Sequence, residues 1–143
     1  MSESIHQDPF PVSSDDATPW RTLTTDFVSL AEFEGSNLLK VDSRALELLS
    51  REAFHDISHF LRPSHLEQLR SILDDPDASA NDRFVALDLL RNAQISAEGI
   101  LPMCQDTGTA IVMGRKGSRV WTVGSDEDYI AKGIEKTYAT DNL

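Results

Sequence analysis

The segment Leu101-Pro102-Met103-Cys104-Gln105-Asp106-Thr107-Gly108-Thr109 sets a soft sulfur, an amide, a carboxyl group and a hydroxyl in consecutive positions on a turn bounded by glycine. Groups of this kind act most often from loops held by rigid elements. Chemistry alone leaves Cys104 three uses: a thiol packed like a small apolar side chain, a nucleophile, or a thiolate ligand to a metal centre. A nucleophile needs a base, and no histidine lies near this loop in sequence. Asp106, before Thr-Gly, also reads as a turn residue bonding its own backbone. His55 and His59 stand four apart with Asp56 between them, an arrangement similar to the His-Glu-x-x-His zinc pattern with Asp in place of Glu. The apolar stripe of that stretch runs through Ala53 and Ile57. Both imidazoles are therefore expected on the other side of the helix, as a solvated or inter-domain pair rather than a metal site. Arg115, Lys116 and Arg119 form a compact basic cluster whose simplest reading is a solvated turn.

These residues need elements to hold them. Residues 1–20 carry Pro9, Pro11 and Pro19 among Ser and Asp with no apolar period, so a flexible N-terminal arm is expected, with residues 21–143 forming the folded part. From Thr22 to Val41, short apolar groups broken by Gly35 predict short strands or loops. Asp42 and Ser43 can cap a helix whose stripe is Leu46, Leu49, Ala53, Ile57 and Phe60. Arg62-Pro63 stops it. Ser64 with Glu67 reads as a capping box for a second helix carrying Leu66, Leu69, Ile72 and Leu73, ended by Asp75-Pro76. Ser79 and Asp82 repeat the start signal for a third, with Phe84, Val85, Leu87, Leu90, Ala93 and Ile95, up to about Ser96. Thr109–Met113 and Ser118–Val123 flank Gly114-Arg115-Lys116-Gly117 and predict a β-hairpin. Ser125 then caps a last helix with Ile130, Ile134 and Tyr138 on one stripe, and Trp121 reads as core or interface. The expected architecture is α+β: a helical layer of three consecutive helices, followed by a β-hairpin and a further helix.

Composition narrows the function classes. The chain has 143 residues, 40% hydrophobic and 26% charged, with 24 acidic against 13 basic side chains and a net charge of −11, which predicts one soluble globular domain. Cys104 is the sole cysteine, so a disulfide framework within the chain is excluded and a reducing compartment fits. The acidic balance repels phosphate backbones and anionic lipid surfaces, so neither nucleic acid nor membrane is an expected partner. No stretch approaches the ~18 consecutive apolar residues of a membrane span. The first twenty residues are acidic, with Arg21 the first basic side chain, unlike a secretory or transit leader; a cytoplasmic location is the expectation.

The order of the residues around Cys104 is more specific than their types. Met103-Cys104-Gln105-Asp106-Thr107-Gly108-Thr109-Ala110-Ile111-Val112-Met113-Gly114 closely resembles the signature of the class I, iron-sulfur-dependent fumarate hydratases. Glu32-Phe33-Glu34-Gly35, Ala53-Phe54-His55-Asp56, Leu61-Arg62-Pro63, Asn81-Asp82, Val85-Ala86-Leu87, Gly117 and Arg119-Val120-Trp121-Thr122 resemble its single-chain bacterial members, in the same order. The closing Thr137-Tyr138 and Asp141-Asn142-Leu143 extend the likeness, which runs from about Phe10 onward.

That resemblance implies reversible hydration of fumarate to (S)-malate, a tricarboxylic acid cycle reaction, at a [4Fe-4S] cluster held by three cysteines with one iron open. Cys104 matches the first cysteine ligand. Gln105 matches a position that hydrogen-bonds a substrate carboxylate, and Asp106 one that serves in substrate contact or proton transfer. An open iron acts as a Lewis acid while a carboxyl group handles the proton. Tartrate or mesaconate dehydration is the alternative within the family, and a non-catalytic helical interaction module the alternative outside it. The two further cysteines, the substrate-binding arginine that usually follows Asn-Leu and the threonine base are absent from these 143 residues. The expectation is therefore an N-terminal piece of a longer polypeptide, inactive alone, whose missing C-terminal part completes the site. The resemblance further implies a homodimer when full length, oxygen sensitivity, and apolar surface left open around Trp121 and the hairpin.

Overall fold

The computed structural model describes residues 19–104, 108–141 and 143. Most of the expected flexible arm, residues 1–18, therefore lies outside the described residues, and Trp20 at its end is exposed.

Two strands open the fold, β1 (Val28–Phe33) and β2 (Ser36–Asp42), paired antiparallel with Phe33 opposite Ser36. The two residues between them, Glu34 and Gly35, have φ of 49° and 75°. Positive φ at both central positions is the tight-turn geometry whose twist matches that of the strands, and glycine supplies it without strain at the second position. Three helices follow, α1 (Arg44–His59), α2 (Pro63–Asp74) and α3 (Ala80–Ser96), then β3 (Val120–Val123) and α4 (Asp126–Asp141).

The hairpin predicted across Gly114–Gly117 is not formed. Residues 109–113 take no strand, and β3 instead adds to β2 in parallel, with Leu39 opposite Val120 and Lys40 opposite Trp121, so the sheet order is β1-β2-β3. A parallel neighbour needs a long crossover, and α1 to α3 supply it. The two-residue hairpin lies instead at Glu34-Gly35, within the stretch read as short strands or loops.

The helix ends obey local chemistry to different degrees. Ser79 and Asp82 form the reciprocal capping box at α3: the Asp82 amide donates to Ser79 Oγ at 3.1 Å and the Ser79 amide to Asp82 Oδ2 at 2.9 Å. Ser125 Oγ accepts from the Asp128 amide at 3.2 Å, as its capping role predicts. Ser43 occupies the N-cap of α1 but sends its hydroxyl to the Val123 carbonyl, tying the helix start to the end of β3. The expected Ser64/Glu67 box is replaced by Pro63 at the start of α2, behind Arg62, with no side-chain cap. Proline suits that position because its missing N–H has no partner there anyway.

The α1 stripe also needs correction. Leu49, Ala53 and Ile57 are exposed and Phe60 is 45% exposed, while Ser50 and His59 are buried. The reason is the α1–α4 seam. Gly133 and Thr137 of α4 are buried against α1, and Thr137 Oγ1 donates to the Arg51 carbonyl at 2.9 Å. Ser50 Oγ reaches the Ile130 carbonyl at 3.0 Å. Small residues let the two backbones approach closely, so hydrophobic periodicity did not mark this face. In α4, Ile130, Ile134 and Tyr138 are half-buried beside the seam, and in α2 Leu66, Leu69, Ile72 and Leu73 are half-buried toward α3.

Candidate functional site

The Cys104 loop begins where α3 ends. The Ala97, Glu98 and Gly99 amides donate to the Ala93, Ile95 and Ser96 carbonyls, and Gly99, at φ 72°, turns the chain back toward α1. A helix leaves its last carbonyls without intrahelical partners. At the C-terminus of α1 this chain fills three of them from different sources. Asp56 O accepts from the Phe60 amide at 2.8 Å, Ser58 O from the Met103 amide at 2.9 Å, and His59 O from Ser96 Oγ at 2.8 Å. Asn92 of α3 adds a second clamp, donating from Nδ2 to the Met103 carbonyl at 2.8 Å. Met103 is thus held on both its peptide groups, by α1 and by α3, and the next residue is Cys104 with its side chain exposed. Of the three uses the sequence left open, a buried apolar thiol is the one this exposure removes. Gln105 and Asp106, the other expected site residues, lie outside the described residues.

Behind the loop the two histidines do not form a solvated pair. His59 is 1% exposed, with Nδ1 bonded to the His55 carbonyl at 2.8 Å. Since a carbonyl only accepts, this nitrogen carries the proton. His55 is half-buried, its Nδ1 lies 2.8 Å from Asp141 Oδ2 at the end of α4, and the two rings stack with centroids 4.5 Å apart. A Cβ placed on Gly99 would stand 3.9 Å from His55 Cε1 and Nε2, so the loop passes directly over that ring. Donor atoms of His55, His59 and Asp141 come within 4.8 Å of one another, the convergence that the His-x-x-x-His spacing alone could not reveal because Asp141 is remote in sequence. Asp56 turns Oδ2 to Arg21 at 3.2 Å.

The basic cluster is divided. Lys116 Nζ reaches Asp126 Oδ2 at 2.7 Å, and Thr122 Oγ1 donates to the same carboxylate. Those two contacts, Lys116 first, hold the Asp126 carboxyl below the ordinary carboxylate range. Lys116 therefore anchors the α4 N-terminus instead of standing as a solvated turn. Two apolar grooves flank the α2–α3 pair, one of about 450 Å³ lined by Phe60, Leu66, Leu90 and Ala93 among others, and Cys104 lines neither.

In class, then, this is an α+β unit that presents one exposed thiol from a doubly clamped loop, with a half-buried and a buried histidine paired under that loop's bend. Residues 47–143 match the family described as Fumarate hydratase (Fumerase), and the chain belongs to that family. It is 55% identical, over 97% of its length, to the class I anaerobic fumarate hydratase of Escherichia coli (strain K12). Identity is 57% over 97% of the chain to the class I aerobic enzyme of Salmonella typhimurium, and 50% over 88% to the mitochondrial fumarate hydratase 1 of Leishmania major. The chain spans about a quarter of the length of these relatives, 25%, 24% and 23% respectively.

Proposed function

We propose that this chain is the N-terminal part of a hydro-lyase that interconverts fumarate and (S)-malate, with Cys104 as one of three cysteine ligands to a [4Fe-4S] cluster. The chemistry of the donor set fits: an exposed, unpaired thiol on a segment fixed from both sides offers one soft ligand, and the others must come from sequence beyond these residues. When bound, such a cluster supplies a Lewis-acidic iron for the substrate oxygens. The chain's own residues do the rest of the work assigned here. Gln105 hydrogen-bonds a substrate carboxylate, and Asp106 binds at the hydroxyl-bearing carbon and transfers a proton there. The Met103 clamp limits how far Cys104 can wander, which matters because small misplacements of reacting groups are costly in rate. Fumarate, rather than tartrate or mesaconate, is the favoured substrate because the similar proteins of three organisms all carry that name. The complete protein is read as a homodimer.

The observation that carries this reading is the family match across the loop that presents the Cys104 thiol. Its test is the full-length protein purified without oxygen. Cys104→Ala is expected to lose cluster iron and sulfide and at least a hundredfold in fumarate hydration, with the thermal transition kept. A Cys104→Ala protein with the wild-type iron content would overturn it.

A further inference from the structure

The last turn of α1 gathers more than a helix end requires. Its carbonyls at Ser58 and His59 hold Met103 and Ser96, the His55 ring lies under Gly99, and the same ring is fastened by Nδ1 to Asp141 at the far end of α4. The loop that runs from Ser96 to Cys104 therefore touches this turn at its beginning, its bend and its end. His59 is in turn wedged under His55 by the ring stack.

We infer that His55, tied to Asp141, is a positioning residue for the Cys104 segment: the tie pins the last turn of α1, whose Ser58 and His59 carbonyls hold Met103 and Ser96, to the end of α4. The inference rests on the reading of Cys104 to Asp106 as the reacting segment, but the positioning itself is a property of described residues. The partner of Asp141 is the δ nitrogen of the ring, so the bond must be carried by a donor at that atom. Asparagine places an amide N–H at the δ position and glutamine one atom further out. His55→Asn therefore keeps the tie to Asp141 and His55→Gln loses it, although both remove the imidazole.

The test uses the full-length protein and reads hydrogen exchange by mass spectrometry over peptides spanning 97–104, together with the electron paramagnetic resonance spectrum of the reduced cluster with and without fumarate. His55→Gln is expected to exchange at least tenfold faster across 97–104, the Met103 amide included, with α3 upstream of Asn92 unchanged. The fumarate-induced spectral shift should shrink with it, and His55→Asn should restore both within a factor of two or three. Wild-type exchange in His55→Gln would overturn the inference, as would an Asn variant that fails as fully as Gln. Faster exchange spread evenly over α1 and α4, with a lowered thermal midpoint, would show a merely structural tie and overturn it too. If instead the wild-type protein carries no cluster and hydrates no fumarate, the functional reading fails while the exchange data still judge the positioning.

Discussion

Asp42 shows how much a single carboxylate can organise at the start of a helix. Its Oδ1 accepts from both the Arg44 amide and Arg44 Nε at 3.0 Å, and Oδ2 takes Arg44 Nη2 at 2.6 Å. The side-chain bond to Arg44 and then the backbone bond lower its pKa from 3.8 to about 2, against a small opposing push from desolvation. A depressed folded-state value means the contact stabilises the fold fully above about pH 4 and is lost as pH falls through about 2. An NMR titration of the Asp42 carboxyl carbon is expected to show its midpoint near 2, and a midpoint near 3.8 would show the Arg44 contact absent in solution. Asp82 in the α3 capping box is lowered by its bonds to Ser79 and follows the same sign. Contacts of this kind, two or three positions apart, are legible in a sequence because the chain itself brings the partners together. His55 and Asp141 are 86 positions apart, and no local pattern announces them.

Between elements, the α1–α4 seam is the least forgiving contact. A Cβ at Gly133 would overlap the Ser50 hydroxyl and the Glu47 carbonyl, the second of which is helix backbone. Gly133→Ala gains roughly 0.5–1 kcal/mol in helix propensity, but overpacking costs about 1–3 kcal/mol and more when backbone must shift. The net expectation is a loss of about 1–2 kcal/mol, read as a lower first transition in calorimetry of the full-length protein; an unchanged transition would mean that the helices separate at no cost. The same seam explains what the sequence hid. Amphipathic reading follows apolar side chains, and it placed the α2 and α4 faces well. It misassigned α1, whose inward face is Ser50 and His59 while Leu49 and Ile57 point away. The predicted hairpin failed for a related reason: glycine-rich turns flanked by β-formers are local signals, whereas the partner of β3 is a strand set down before all three helices.

Across the whole molecule, buried apolar surface is scarce. Among the described residues only Ala86 and Ala93 are buried hydrophobics, while Trp121 is 53% exposed, Leu30 74% and Ile111 74%. Lys40 lies 5.6 Å from the Trp121 ring, and that contact covers only part of it. The open area around Trp121 was expected, and extends further, along α1 and β1. Large apolar side chains left open in this number favour contact with other surfaces. The 143-residue polypeptide made alone is expected to enhance anilinonaphthalene sulfonate fluorescence and to elute as associated species at micromolar concentration; a monomer that leaves the dye dark would contradict this. Among the described residues no helix is long and apolar enough to cross a membrane. The crossover topology has a final consequence, for synthesis. Ser43 and Val123, which join α1 to the closing strand, are 80 positions apart, a wait of roughly 4 to 16 s at ribosomal speeds. During that interval the nascent hairpin and the α2–α3 pair can assemble, but the middle strand keeps one bare edge and α1 lacks its main neighbour. The residues made last, β3 and α4, then supply both the missing strand and the missing neighbour of α1.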